Sequence, residues 1–228
     1  KKKWGISDNW NAANNRVLSS KSLEDYPAEG QGDTTPLEIG PQGVCPKGWH
    51  IPSDKEWNML ERHIYGNAHL YSHFSEAEVK EWNKNNPWQK DWETNTQYKP
   101  AGTGVYGDFA EFRPAIVTGD MDIKGHGGAM VRKCLDCNGE GFEAQHGGFD
   151  IFFTGMAKSY SDSNNLGRVA SFGSHAFLWT ASRAGVTGSW FRLIRCTKPN
   201  SNRNYVMAVS RSSQTKFYDY LSVRCKKN

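Results

Sequence analysis

Five cysteines carry the most distinctive chemistry of this chain, because thiolates bind metals, form disulfides and act as nucleophiles. Cys134 and Cys137 form a CxxC pair that is followed by a Gly-rich stretch. A structural zinc needs four ligands, and His126 and His146 flank the pair and could complete such a set. The competing interpretations are a local disulfide or two free thiols, and we favour these. We therefore expect no cofactor, with zinc or calcium as the weaker alternatives.

Cys45 and Cys225 are candidates for a disulfide, since Cys45 lies where the predicted folded core begins and Cys225 follows the last predicted strand. A bridge across so long a loop would stabilise the fold by about 4–5 kcal/mol if it is unstrained. It would also indicate an oxidising compartment. Cys196 has no partner in this arrangement, and a buried free thiol is its simplest interpretation.

The other reactive residue types do not indicate catalysis. The seven histidines contain no HExxH arrangement, and the sequence has no GxSxG, P-loop or dinucleotide fingerprint. His63 falls on a predicted helix, where an ordinary surface role is the simplest interpretation. Acidic residues between 108 and 122 could form a carboxylate pair or a calcium site, but a chain with 24 acidic residues offers many such pairs. We predict that the protein is not an enzyme.

Composition favours a loop-rich fold that mixes helices and strands. The 228 residues include 23 glycines, and only 37% are hydrophobic. The sequence contains no run of 18 apolar residues, which would predict a membrane span. No apolar segment follows Lys1–Lys3, as a signal peptide would require. The net charge is +4, and basic residues are interspersed with acidic ones. A nucleic-acid partner is therefore not expected.

Two amphipathic helices are predicted in the first half of the chain. Ser53 and Glu56 have the spacing of a capping box, which predicts a helix from about Asp54 to Tyr65. Ser75 and Glu78 repeat this spacing and predict a second helix that ends before the Asn-Asn-Pro sequence at 85–87. The apolar residues expected to face the core are Trp57, Met59, Leu60, Ile64, Val79 and Trp82.

The remaining sequence predicts loops and short strands. The first forty residues are predicted to be an irregular lead-in with one strand near Trp4–Ile6. After Phe109, short apolar runs separated by turn-forming residues indicate strands. These runs are Phe149–Phe153, Ala176–Trp179, Trp190–Ile194, Tyr205–Val209 and Leu221–Arg224. Helices early in the chain and strands late predict an α+β fold.

One run is specific enough to indicate a family. Cys45–Trp57, CPKGWHIPSDKEW, resembles the opening motif of the Fibrobacter succinogenes major paralogous domain, a family of bacterial surface and lipoprotein modules. Three further landmarks of the family follow in order, at Phe177–Ser182 (FLWTAS), Trp190–Arg192 (WFR) and Ser222–Cys225 (SVRC). The resemblance covers about residues 40–228.

The same landmarks are similar to those of C-type-lectin-fold variable proteins that retroelements diversify in bacteria and phages. This resemblance implies a C-type-lectin-like fold, with two short helices packed on small antiparallel sheets, long loops, and the two ends of the domain adjacent. The domain would span residues 41–228 after a lead-in at 1–40. The stretch at about 76–145 is longer than the resemblance implies, which predicts an insertion.

The resemblance also implies a ligand-binding segment at about residues 188–221. Aromatic and Arg side chains give large contact areas, while Ser and Asn add adaptable hydrogen bonds. Alternate aromatics in a strand point into the core, so about half of the five aromatic residues in the list below (Trp190, Tyr205, Phe217, Tyr218 and Tyr220) are expected to pack inward. We assign Phe191 and Arg192 to the scaffold. The predicted ligand-binding residues are Trp190, Leu193, Arg195, Thr197, Lys198, Asn200, Asn204, Tyr205, Arg211, Ser212, Phe217, Tyr218 and Tyr220.

These resemblances imply a surface-displayed receptor or adhesin-like module that recognises a protein or glycan. It would be secreted, lipid-anchored at a cell surface, or carried on a phage particle, and its oligomeric state is open. The alternative is a structural tip or cap component of a phage tail or surface fibre, which a large exposed apolar patch away from residues 190–220, or an obligate trimer in solution, would favour. A third hypothesis is a catalyst similar to formylglycine-generating enzymes, with Cys196 and Cys225 as its active-site pair. Bridging of Cys225 to Cys45 and burial of Cys196 would argue against it.

Overall fold

The computed structural model describes residues 7–14, 42–72, 74–88, 112–113, 126–131, 133–134, 142–143, 149–158, 169–183, 188–197, 206–215 and 219–228. The helices are α1 (Trp10–Ala13), α2 (Asp54–Gly66), α3 (Glu76–Asn85) and α4 (His126–Met130). The strands are β1 (Ser7–Asp8), β2 (Trp49–His50), β3 (Phe112–Arg113), β4 (Lys133–Cys134), β5 (Phe142–Glu143), β6 (Met156–Lys158), β7 (Val169–Ala170), β8 (His175–Arg183), β9 (Gly188–Thr197), β10 (Val206–Thr215), β11 (Asp219–Ser222) and β12 (Lys226–Lys227). This content confirms the α+β class. Among these residues, no helix combines the length and apolar character that crossing a bilayer requires.

Local sequence signals explain α2. The Ser53 side chain accepts a hydrogen bond from the Glu56 amide, and the Glu56 carboxylate accepts one from the Ser53 amide. This is the predicted capping box, so the predicted helix is confirmed. Trp57 and Ile64 are buried as expected. Met59 is 52% exposed, contrary to prediction, because residues two apart on a helix do not share a face.

The second predicted helix is also confirmed, as α3. Ser75 and Glu78 form the same reciprocal pair of hydrogen bonds at its start. The helix ends at Asn85, before the Asn-Pro sequence that predicts its termination. Val79 is buried in the core and Trp82 is partly exposed. Only a narrow stripe of the α3 surface therefore packs against the core.

Among the described residues the main sheet has eight strands, with β3, β10, β9, β8, β11, β6 and β7 in spatial order and β1 paired to β11. Its centre is the antiparallel set β8, β9 and β10. These strands pair along most of their length, and this pairing fixes the C-terminal part of the fold. The predicted strand at Phe149–Phe153 is not formed. Only Ile151 makes a bridge there, to Val131, and Asp150 has a positive φ of 43° that interrupts extended backbone. The last predicted strand ends earlier than expected, at Ser222.

Two hydrophobic clusters cover the two faces of the central strands. On one face, residues of α2 and α4 pack against Leu178, Ile194 and Val209. On the opposite face, Trp10 and Ile51 pack with a second set of strand residues, which includes Phe177, Trp179, Phe191 and Leu193. Because both faces are covered, the side chains described in the middle of β9 are buried whichever face of the sheet they lie on.

Residues 7–14 belong to the folded core, in contrast to the irregular lead-in that the sequence predicts. The strand β1 pairs with β11, and Trp10 is 1% exposed. The Trp10 indole Nε1 donates a hydrogen bond to the Thr180 carbonyl at 2.8 Å. The strand predicted near Trp4–Ile6 lies outside the described residues.

Several described parts of the stretch at 76–145, predicted to be an insertion, contribute to the core. Val79 of α3 and Met130 of α4 are buried in the same cluster as Trp57. The strand β3 pairs with β10 and extends the main sheet. These parts of the stretch are therefore integral to the domain.

Candidate functional site

The hairpin of β9 and β10 carries most of the predicted ligand-binding segment, and its interior is charged. Arg192 on β9 lies directly opposite Arg211 on β10. Two guanidiniums at facing positions repel each other unless anions separate them. The helix α2 supplies these anions.

We call Asp54, Glu61, Arg192 and Arg211 the arginine cluster. Arg192 donates from Nε to Glu61 Oε1 and from Nη1 to Asp54 Oδ1. Arg211 Nε lies 2.8 Å from the other Asp54 oxygen, Oδ2. All four side chains are fully buried. Two carboxylates therefore balance two guanidiniums inside the protein, as the burial of charge requires.

Further contacts tie this cluster to its surroundings. Burial alone would lower the pKa of Arg192, but Asp54 and Glu61 outweigh it and hold that pKa above its ordinary value. The Arg211 guanidinium lies 3.9 Å from the centre of the Trp190 ring, a cation–π contact. The Asp54 amide donates to Ser182 Oγ on β8 at 2.9 Å. The first turn of α2 thus holds all three central strands together.

His126, one of the weak metal candidates, lies beside this cluster. Its side chain is fully buried, with Nε2 3.5 Å from Glu61 Oε2 and ring contacts to Tyr65 and Trp88. Within the described part of the chain, no group of three His, Cys, Asp or Glu residues could hold a metal ion. Cys134 is described only as backbone of β4, and Cys137 and His146 lie outside the described residues.

A second set of contacts fastens the C-terminus to the start of α2. Cys45 and Cys225 form a disulfide, as predicted. Glu56 accepts a hydrogen bond from Lys226 Nζ at 2.6 Å and contacts His50 Nε2 at 3.0 Å. Burial alone would raise the pKa of Glu56, but Lys226, the Ser53 amide and His50 together lower it below the ordinary value.

These contacts give structural roles to the residues of the Cys45–Trp57 motif. Cys45 forms the disulfide, His50 contacts Glu56, and Trp57 fills the core. The disulfide also engages Cys225, which the formylglycine-generating hypothesis requires as an active-site thiol. Cys196 is described only as backbone of β9.

The predicted ligand-binding residues do not share one exposed surface. Trp190, Leu193 and Arg211 are at most 5% exposed, so the structure does not display their side chains on a surface. They are buried because both faces of the hairpin are covered, and Trp190 and Arg211 pack against each other. Tyr220 is partly exposed on β11, opposite Ala157 of β6. The scaffold assignment of Phe191 and Arg192 is confirmed, since both are buried.

For the other predicted residues the structure describes less. Arg195, Thr197 and Ser212 are described as backbone positions of β9 and β10, where they pair with Ala208, Val206 and Phe191. The remaining six lie outside the described residues: Lys198, Asn200, Asn204, Tyr205, Phe217 and Tyr218.

The topology nevertheless separates these six into two groups. The segment at 198–205 joins β9 to β10 at the Thr197–Val206 pair, whereas the segment at 216–218 leaves β10 after Thr215. A ten-residue strand separates these two points, which corresponds to about 30 Å. Only a ligand of macromolecular size could contact both ends of the hairpin at once.

Sequence reasoning missed two features of this part of the fold. The arginine cluster has no local signal, because Asp54 and Glu61 look like ordinary helix charges until α2 is placed against β9. The second is a patch of exposed apolar residues, which we call the Phe152 patch: Phe152, Val169 and Phe172, each about half exposed. In the sequence this patch corresponds to an apolar run beside turn-forming residues. The same pattern predicts a buried strand, so it does not distinguish an exposed patch from a strand.

Comparison with known proteins identifies one relationship. No curated protein matches the chain, and no solved structure matches it. A sequence model of the Fibrobacter succinogenes major domain matches residues 8–227. The match begins at residue 8 and not near residue 40, in agreement with the burial of Trp10. The chain therefore belongs to the Fibrobacter succinogenes major domain family.

Proposed function

We propose that this protein is a ligand-binding module of the receptor or adhesin type, with a C-type-lectin-like arrangement of its helices and sheets. The observation that carries the proposal is the clamped β9–β10 hairpin. Its core is fixed by the arginine cluster, while its two ends lead into segments rich in Asn, Ser, Arg and aromatic residues. A rigid frame that carries adaptable polar and aromatic side chains is the arrangement that antibody-like recognition uses.

A protein or an extended glycan is the ligand class that this geometry favours. The two candidate segments leave the hairpin about 30 Å apart. Specific protein interfaces bury about 800 Å² on each partner, a patch of similar width. The buried Trp190, Leu193 and Arg211 then act as framework residues, and contact with the ligand comes from the two segments.

The disulfide supports a location outside the reducing cytosol, since such bridges persist in oxidising compartments. We place the module on a cell surface, in secreted form or on a phage particle. Diversification of the binding segments by a retroelement is part of this proposal. A search of the neighbouring DNA for a reverse transcriptase and a repeat of the segment's coding sequence tests it.

The binding proposal is tested by screening the purified domain on arrays of glycans and surface proteins. One variant carries Lys198→Ala, Asn204→Ala and Tyr205→Ala, and a second carries Phe217→Ala and Tyr218→Ala. We expect at least one variant to lose binding by about tenfold or more, as is typical when contact residues of a hot spot are truncated.

A matched control carries Lys80→Ala and Lys84→Ala on α3, where both side chains are mostly exposed. It should bind like the parent protein. Equal binding by all variants would place the site elsewhere and refute the assignment to these two segments. Thermal unfolding of each variant confirms that the fold is retained.

A second candidate function is a structural component of a phage tail or surface fibre. The Phe152 patch favours it, because none of its residues belongs to the 190–220 segment and assemblies need exposed apolar surfaces. An obligate oligomer without any ligand on the arrays would support this candidate over the first.

A further inference from the structure

One tryptophan of the Cys45–Trp57 motif is not accounted for by the contacts described above. Trp49 lies on β2, and its side chain is 38% exposed. It is the most exposed tryptophan among those whose side chains the structure describes. Tryptophan side chains are largely buried on average, and they are enriched where proteins bind their partners. The charges around Trp49 indicate what kind of ligand it could contact.

The pairing of β2 with β12 determines which side chains accompany Trp49. Trp49 lies opposite Lys227, and His50 lies opposite Lys226. Residues directly opposite each other in an antiparallel pair share a face, and neighbouring residues alternate between the two faces. His50 and Lys226 both contact the buried Glu56, so they lie on the inner face. Trp49 and Lys227 therefore share the outer face, with their Cβ atoms about 5 Å apart.

The backbone around these two residues is firmly held. We call β2, β12 and the turn at residues 46–49 the Trp49 ribbon. The Trp49 amide donates to the Pro46 carbonyl at 3.0 Å, and the Asn228 amide donates to the Gly48 carbonyl at 3.0 Å. The disulfide described above joins the residues that directly precede the turn and β12. Because the site is already ordered, a ligand loses little affinity to the cost of ordering it.

The Trp49 ribbon and its flanks carry positive charge only. Residues 42–50 and 223–228 contain three lysines and one arginine, and no Asp or Glu. A buried carboxylate compensates Lys226. Lys47 and Lys227 are exposed, and neither forms an ion pair with another described residue. Two uncompensated cations thus lie in the same short ribbon as the exposed indole, and their charge is complementary to an anionic ligand.

We propose that the Trp49 ribbon binds an acidic glycan, a chain of sugar rings that carry carboxylates. The carboxylates pair with the ammonium groups of Lys47 and Lys227. The face of a pyranose ring that bears its axial C–H bonds stacks on the Trp49 indole. The C–H hydrogens are slightly positive and the face of the indole is negative, so this contact is attractive as well as apolar. One or two units of such a chain supply both the ring and the charge.

The size and composition of the ribbon favour a glycan over other anions. Each of its strands has two residues, whereas a stable protein interface needs about 800 Å² on each partner. Attachment to anionic lipids typically uses about four to eight clustered basic residues, and nucleic-acid binding uses a basic tract or face. Two lysines beside one tryptophan fit a smaller ligand unit. The site uses no residue of segments 198–205 and 216–218, so it goes beyond the function proposed above.

Titration of the full chain with a short oligogalacturonate tests this proposal, with a neutral galacto-oligosaccharide of the same length as the ligand control. Isothermal titration calorimetry measures the dissociation constant, and the indole N–H signals in NMR spectra show which tryptophan is contacted. We expect the acidic oligosaccharide alone to bind and to shift the Trp49 signal, which is identified by its absence in Trp49→Phe. Added salt should weaken the binding, because it screens exposed charges.

Two variants separate the stacking from the charge contribution. Trp49→Ala should raise the dissociation constant by about tenfold or more, as the loss of an aromatic stacking platform does elsewhere. Lys47→Gln with Lys227→Gln should raise it by about fivefold and should also reduce its dependence on salt. The lysine variant changes exposed side chains only, so it remains informative if Trp49→Ala destabilises the fold.

The chain offers a matched control for each variant. Phe172→Ala removes an aromatic side chain that is 56% exposed and lies outside the ribbon. Lys80→Gln with Lys84→Gln removes two exposed charges on α3 and gives the same net charge as the ribbon variant. Both controls should bind the oligogalacturonate like the parent protein.

Several results would overturn the proposal. One is a parent protein that does not bind oligogalacturonate at millimolar concentration. Another is equal binding of polyglutamate, single-stranded DNA or phosphatidylglycerol vesicles, since this would show attraction to any polyanion. A lysine control that binds as weakly as the ribbon variant would show that net charge alone decides. The variants in segments 198–205 and 216–218 should keep oligogalacturonate binding, and Trp49→Ala should keep binding of the array ligand, so the two proposals can fail independently.

Discussion

Replacement of Asp54 by Asn is the sharpest test of how the β9–β10 hairpin is held. Asp54 contacts both guanidiniums of the arginine cluster with different oxygens. The substitution keeps the size of the side chain and removes only its charge. It leaves Arg192 and Arg211 opposite each other with one of the two carboxylates of the arginine cluster, Glu61, still charged. The attachment of the hairpin to α2 should therefore weaken.

The expected loss follows from the burial of the cluster. Breaking a fully buried ion pair by removing one partner costs about 3–5 kcal/mol, because the remaining charge stays without compensation. Urea denaturation slopes for a protein of this size are about 2–3 kcal/mol per molar. The midpoint of urea unfolding should thus fall by about 1–2.5 M in Asp54→Asn. The disulfide is kept oxidised throughout, so that both proteins unfold from the same covalent state.

Two further variants make this prediction refutable. Glu81→Gln neutralises an exposed carboxylate on α3 and should change the stability by no more than about 0.5 kcal/mol. Adding Arg211→Met to Asp54→Asn removes one charge of each sign. The double variant should then be more stable than the sum of the two single losses by about 1.5 kcal/mol or more. A loss below 1 kcal/mol in Asp54→Asn, or strict additivity in the double variant, would refute the role given to the cluster.

Three other predictions concern the disulfide, a glycine and a carboxylate. Cys45→Ser with Cys225→Ser should lower the free energy of unfolding by about 4–5 kcal/mol, and reduction of the parent by dithiothreitol should reproduce this loss. Gly155→Ala should lower the melting temperature by more than Gly48→Ala does, since both have positive φ but only Gly155 has backbone atoms where the Cβ would lie. If Gly155→Ala and Gly48→Ala lower the melting temperature equally, the positive φ alone, and not the space around the Cβ, determines the loss. Glu56 has a lower pKa in the folded protein than in the unfolded one, so its contribution is complete above its ordinary pKa and disappears as the pH falls through the folded value. The melting temperature of Glu56→Gln should therefore change less between about pH 5 and pH 2 than that of the parent.

The elements that the sequence predicts well are those whose signals are local. Ser53 with Glu56 and Ser75 with Glu78 each specify a helix start within four residues, and both starts are as predicted. The Cys45–Cys225 bridge was also predictable, because both residues lie in family landmarks at the two ends of the core.

The errors arise where distant residues decide the structure. Trp10 looked like part of an irregular lead-in because its hydrogen-bond partner, the Thr180 carbonyl, is 170 residues away. Arg211 and Trp190 are residue types that are common in binding surfaces. In the structure, however, the Arg211 guanidinium is buried, where the Asp54 carboxylate of α2 compensates its charge. Alternation along a strand predicts which residues share a face, but it does not say that both faces are covered.

Phe152 shows a third kind of limit. Its neighbours Phe149, Ile151 and Phe153 have the composition of a strand, but the positive φ at Asp150 turns the chain and leaves Phe152 exposed. Asp is one of the residues that tolerate this conformation, but many Asp residues do not adopt it. The exposed patch could therefore be found only from the structure.

The disulfide between Cys45 and Cys225 also determines how the protein would respond to tension. The two cysteines are 180 residues apart, and everything between them is a covalently closed loop. A pull applied at the two ends of the chain would pass from Cys45 directly to Cys225 through the sulfur atoms. The helices α2, α3 and α4, the arginine cluster and the candidate binding segments all lie inside this loop and would carry no load along the backbone. A module that holds a ligand under flow or drag would keep its binding surface in shape for as long as this bond is intact.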